Sequence, residues 1–149
     1  MKTDKSLNSE YFSNLELALK SYKKHLGAVF EKSDLLITPD QWQVLNIIVN
    51  HKDTKYSEIA AISGKDIASV NRIINLLNHK GYISRQTDPA NRRRVILGIS
   101  NSGEKIHKQA GEAVQLASGN ILCGFKDKRI AKQVKIFRKI IKKCSRGMK

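Results

Sequence analysis

Ser57-Glu-Ile-Ala-Ala-Ile-Ser-Gly64-Lys-Asp66-Ile-Ala-Ser-Val-Asn-Arg-Ile-Ile-Asn-Leu-Leu-Asn-His-Lys-Gly81 decides the fold of this chain. Ser57 to Ser63 carries helical amphipathic spacing, Gly64 interrupts it, and Asp66 supplies the side-chain oxygen that a new helix needs at its N-cap. Two short helices joined by a sharp turn are the expected result. In the second helix Val70, Ile73, Ile74 and Leu77 recur at three-and-four spacing and form the buried stripe. The opposite face then presents Ala68, Arg72, Asn75 and His79, flanked by Lys65, Ser69 and Asn71, with Leu76 as an apolar misfit. Small, hydrogen-bonding and basic side chains on one face suit a DNA major groove, where Arg forks onto guanine and Asn pairs with adenine. Gly81 stands where a left-handed residue ends the helix at least cost.

Beyond Gly81 the period becomes extended. Tyr82-Ile-Ser-Arg85 and Arg94-Val-Ile-Leu-Gly-Ile99 read as two strands flanking a long loop, Gln86 to Arg93, in which Pro89 removes no sheet donor. Arg92, Arg93 and Arg94 repel one another unless an anion lies nearby, and a phosphate backbone or narrow minor groove supplies one. The expected fold is therefore mainly α with a small β-hairpin wing: a winged helix-turn-helix plus terminal helices. The DNA-binding candidates are Lys65, Ala68, Ser69, Asn71, Arg72, Asn75, Arg92, Arg93 and Arg94.

These residues resemble the MarR-type family of bacterial transcription regulators, named for multiple antibiotic resistance. Ser57-Glu-Ile-Ala, Gly64, Asp66, Ser69-Val-Asn-Arg72, Leu77 and Lys80-Gly-Tyr-Ile match that family's helix-turn-helix. Asp88-Pro-Ala-Asn-Arg-Arg93, Leu97 and Ile99-Ser-Asn-Ser-Gly103 are similar to its wing and the start of its next helix. Two positions depart from the pattern. Asn91 stands where the family usually has an acidic residue, so a looser wing is expected, and Ser63 is polar where the family tends to be aliphatic. The resemblance implies one MarR-type domain over 1–149, with a DNA-binding part at 38–100 and a helical dimerisation part at 8–32 and 101–145.

Bulk properties point the same way. The chain has 149 residues, enough for one domain with a real core. Its 28 Lys and Arg against 13 acids give a formal charge of +15, which favours anionic partners, nucleic acid or an anionic membrane surface. With no apolar run of spanning length and no signal-peptide core, a soluble cytoplasmic protein is expected.

Helical stripes occupy both ends. Tyr11, Leu15, Ala18, Tyr22, Leu26 and Val29 form one, widened by Phe12, Leu19 and Phe30. Thr38 caps a second helix with Pro39 at its first position, and Val44, Leu45, Ile48 and Val49 are expected to bury it. Ile106, Ala110, Ala113, Val114, Ala117 and Ile121 mark a third helix, and Ile130, Val134, Phe137, Ile141 and Cys144 the last. Ile136 and Ile140 widen that last apolar arc to about 160°, more than one neighbour requires. Either the helix packs on its own subunit and a second copy, as in the family's dimer, or the terminal helices pair within a monomer. A dimer would place two reading helices about 34 Å apart on a near-palindromic operator.

The resemblance also implies a repressor relieved by a small-molecule effector bound between the dimer helices and the reading heads. Leu26, Phe30 and Trp42 fall on the helices that wall such a pocket, although large apolar residues at this spacing also make ordinary core. Cys123 and Cys144 read as small buried hydrophobes without disulfide or zinc spacing. His25, His51, His79 and His107 are scattered, so no metal ligands are assigned. No catalytic residues, no cofactor and no enzymatic activity are expected. The alternative to a sequence-specific regulator is a basic winged-helix module that binds RNA or coats DNA without sequence preference.

Overall fold

The computed structural model describes residues 5–146, divided into two units after Ala117. The first unit holds α1 (Lys5–Lys32), α2 (Pro39–Asn50), α3 (Tyr56–Ser63), α4 (Ile67–His79), β1 (Ile83–Asp88) and β2 (Asn91–Ile99); α5 (Asn101–Leu122) runs across the boundary and α6 (Asp127–Arg146) lies in the second. The architecture is mainly helical with one antiparallel two-stranded wing.

Local chemistry sets the helix ends. Thr38 Oγ1 accepts the Gln41 N–H while Gln41 Oε1 accepts the Thr38 N–H, a reciprocal cap in front of Pro39. Gly64 closes α3 at φ 69°, a left-handed conformation that costs any other residue more. Asp66 Oδ1 then accepts the Ser69 N–H at 2.7 Å and opens α4.

The core gathers Phe30, Val44, Leu45, Ile59, Val70, Ile74 and Leu77, all essentially fully buried. Each such side chain contributes about 1.5–3 kcal/mol by leaving water. Ile37 and Ile83 close it from the α1–α2 connection and β1, and Ile106 and Ala110 from α5. At Gly103 the backbone of α5 approaches the wing so closely that a Cβ would meet the Tyr82 carbonyl oxygen.

Four expectations are corrected. Val49 is exposed and Ile47 takes its place, because the buried face of α2 is centred on Val44, Leu45 and Ile48 with Gln41 beside it. The long wing loop shrinks to Pro89 and Ala90: the strands pair in register from Ile83↔Ile99 to Thr87↔Val95, and then Asp88 pairs with Asn91. Arg92, Arg93 and Arg94 are the residues skipped by that shift, so all three lie in a bulge of β2, Arg92 and Arg93 rather than in the loop and Arg94 rather than at a regular strand start. In α1 the stripe buries only Leu26 and Phe30, and Phe12 and Leu19 are exposed. Cys123 and Cys144 are exposed as well, Cys123 just past the end of α5 and Cys144 on α6, a helix with no buried residue in the single chain.

Among the described residues, no helix is long and apolar enough to cross a membrane, and no group of His, Cys, Asp and Glu could hold a metal ion.

Candidate nucleic-acid interface

The outer face of α4 is open along its length. Ala68, Asn71, Arg72, Asn75 and His79 are exposed, and no Asp or Glu lies within the helix. Asp66, the nearest acid, is occupied in capping. The Ser69 backbone N–H, then its hydroxyl, hold that carboxyl below its usual range. A negative charge at this end also complements the helix dipole. Leu76 remains on the face at 39% exposure, as the sequence led us to expect.

Three of the candidate residues have partners that sequence spacing does not reveal. Lys65 Nζ lies 2.7 Å from Asp40 Oδ1 on α2, and Lys23 Nζ from α1 reaches the same oxygen at 2.9 Å. Partial burial works to raise the Asp40 pKa, but the hydrogen bonds and charges of Lys65 and Lys23 outweigh it and leave the carboxyl below its usual value. Asn75 Oδ1 accepts a hydrogen bond from the Arg85 guanidinium of β1, whose other nitrogen donates to Tyr56 Oη at 2.6 Å. Arg85 therefore braces α3, α4 and the wing against one another, and its guanidinium lies over the Tyr56 ring.

The wing sorts its own arginines. Arg94 faces Asp88 at 3.5 Å and Asp53 at 3.8 Å, which ties the bulge to the wing and to the α2–α3 connection. Asn91, where an acid was expected, accepts the Arg93 N–H through Oδ1 at 3.1 Å. The ion pair that spans the wing is Arg94 with Asp88, and position 91 takes no part in it. Arg92 and Arg93 are exposed, and among the described residues neither is ion-paired. A cleft of about 620 Å³ separates the wing from the starts of α3 and α4, with Arg93, Arg94 and Asn91 on one wall and Lys55, Ser57 and Ile67 on the other. Lys55 is a cation in this region that the sequence reading passed over, because it precedes the helix whose pattern drew attention.

The effector candidates differ in their surroundings. Leu26 and Phe30 are buried and Trp42 is half-buried. Phe30 borders a cleft of about 370 Å³ at the α1–α2 connection, whose lining includes neither Leu26 nor Trp42. Trp42 stacks instead on His107 of α5, and its Nε1 donates to the His107 carbonyl at 3.4 Å. His107 Nε2 lies 2.9 Å from Asn46 Oδ1, and burial holds this imidazole below its usual pKa.

Comparison with known proteins places this geometry. Residues 37–95 match the profile of the MarR family. A Thauera aromatica protein named for transcriptional regulation of the hcr operon is 31% identical over 78 residues, covering 52% of this chain and 47% of that protein. The HTH-type transcriptional regulator FarR of Neisseria gonorrhoeae is 26% identical over 78 residues, 52% of this chain and 53% of that one. The chain thus spans about half the length of the curated relatives it matches. In fold, a MarR/EmrR family transcriptional regulator from Acinetobacter sp. ADP1 superposes with a TM-score of 0.84 at 15% identity over 94% of this chain and 98% of that one. CouR from Rhodococcus jostii RHA1, solved with p-coumaroyl-CoA bound, superposes at 0.79 and 16% identity over 93% and 96%.

Proposed function

We propose, from the premise that this chain is a MarR-family winged helix-turn-helix protein, that it is a sequence-specific, dimeric, DNA-binding transcription regulator, a repressor released by a small-molecule effector. The observation that carries this reading is the exposed, acid-free outer face of α4 with free cations of the wing bulge beside it. Arg72, Ser69 and Asn71 read base edges, and Arg92 and Arg93 hold backbone or minor groove. Lys65 and Arg94, each already bound to carboxylates, set the attitude of the reading helix and the wing.

Exposed large apolar residues support the dimer. Leu7, Phe12, Leu17 and Leu19 on α1, and Val134 and Ile141 on α6, stand in water in the single chain. Burying such surfaces against a second copy gives two reading helices and a near-palindromic operator. The effector acts through the helices that carry Leu26, Phe30 and Trp42, beside the Phe30 cleft. Its binding and DNA binding are then linked reciprocally.

Footprinting the protein on the DNA upstream of its own gene tests the reading. A protected near-palindrome, bound about a thousandfold or more above random duplex at physiological salt, is the expected result. Equal affinity for both would replace the regulator with a protein that coats nucleic acid. Trp42 is the single tryptophan, so its fluorescence reports the effector half when p-coumaroyl-CoA is titrated as a probe. A saturable change that weakens operator binding supports an acyl-thioester effector; no change removes that class.

A further inference from the structure

Helix α6 carries nine Lys and Arg against a single acid, Asp127, more than half of the chain's +15 on 20 residues. The cations are not spread evenly. Lys128, Lys132, Lys135, Lys139, Lys142 and Arg146 follow each other at spacings of four and three, which confines them to an arc of about 80° along some 27 Å of helix. All six are exposed, and among the described residues none is ion-paired. Like charges three and four residues apart destabilise a helix, so an unneutralised stripe of this length works against its own secondary structure.

We infer that this stripe is a second nucleic-acid contact, a sequence-independent cradle for the phosphate backbone of duplex DNA, separate from the reading face of α4. The pattern of apolar residues on the same helix makes room for it. Ile130, Val134, Phe137 and Ile141 centre on the side about 150° away, and Ile136 and Ile140 bring the apolar arc no nearer than about 80° to the centre of the stripe, so the stripe stays in water even when a second copy covers the apolar side. One strand of duplex offers a negative charge about every 3.4 Å of axis, roughly eight along the stripe, which matches a rigid row of cations better than isolated anions do. Binding there releases counterions without reading bases, so it adds affinity and salt dependence but no discrimination.

This inference rests on the reading of the chain as a duplex-DNA binder, and the experiment separates the two. The full chain and a Lys132→Gln/Lys135→Gln/Lys139→Gln variant are titrated with random duplex over a range of salt, and with operator at fixed salt. The variant is expected to lose two to three units of salt slope on random duplex, about 0.9 per cation. Its preference for operator over random DNA should be unchanged. A Lys132→Arg/Lys135→Arg/Lys139→Arg variant keeps the charge and should keep the slope, which separates charge from damage to the helix. An unchanged slope with intact operator preference overturns the cradle and leaves the regulator standing. A lowered slope in a protein that never prefers operator keeps the cradle and overturns the regulator. If the neutralised variant loses binding to phosphatidylserine vesicles but keeps its slope on DNA, the stripe is a membrane surface and the inference falls.

Discussion

Lys65 Nζ and Asp40 Oδ1 lie 2.7 Å apart, which ties the turn before α4 to the first turn of α2. Only 13% of the Lys65 side chain is exposed, and Lys23 brings α1 to the same oxygen. One carboxylate therefore joins a terminal helix, a core helix and the entrance to α4. Asp40 remains 48% exposed, so Asp40→Asn should cost only about 1 kcal/mol or less. Because the folded-state pKa is lowered, this contribution is complete above the usual carboxylate range and disappears as pH falls through the folded value. Denaturant titrations should show a deficit for the variant above about pH 5 that closes at more acidic pH. A deficit independent of pH would mean that Asp40 acts by packing alone.

Arg72 and Arg93 should fail in different ways. Arg72→Ala is expected to relax discrimination at one base position by about 1–3 kcal/mol, read from affinities across an operator library. Arg93→Ala should weaken all sequences alike and lower the salt slope by about one unit. Operator preference unchanged in the first variant would put another face of α4 against the bases.

Arg85 bridges Asn75 and Tyr56, so Arg85→Met and Tyr56→Phe should not be additive. Each is expected to cost about 1–2 kcal/mol of stability, and the double variant clearly less than the sum. Operator affinity should fall with Arg85→Met through loss of helix and wing positioning. Strict additivity in thermal or chemical unfolding would show that the bridge carries no energy.

Gly103→Ala drives a methyl group into the Tyr82 carbonyl oxygen, closer than non-bonded heavy atoms tolerate. The start of α5 and the base of the wing must then separate. A loss of about 1–3 kcal/mol is expected, with faster amide exchange at Tyr82 and Ser100. Wild-type stability in this variant would rule out the close approach.

His107 is neutral by preference, since burial lowers its pKa. The unfolded chain binds that proton more readily, so stability should be complete above the ordinary histidine value and decline as pH falls through it. His107→Gln should flatten that decline below the ordinary histidine value. The stacked Trp42 provides the fluorescence readout.

The helix-turn-helix was legible because its signals act over a turn or less. Gly64, the Asp66 cap and the spacing of Val70, Ile74 and Leu77 each depend on neighbours three or four residues away, and the structure places them as the sequence requires. The wing was legible as a hairpin but not in its length. Pro89, Arg92 and Arg93 read locally as loop, whereas pairing from Ile83↔Ile99 extends both strands to Asp88 and Asn91 and pushes the arginines into a bulge.

What the residues determine alone is thus the exposed face of α4, its caps and the charge placed near it, since backbone propensity and helical period need no distant partner. The tertiary structure decides which of those charges are free. Asp40 takes Lys65 from 25 residues away, Asp53 and Asp88 take Arg94, and Arg85 takes Asn75. Pairing of this kind depends on which surfaces meet when the core closes, and the linear order of side chains carries no record of that distance.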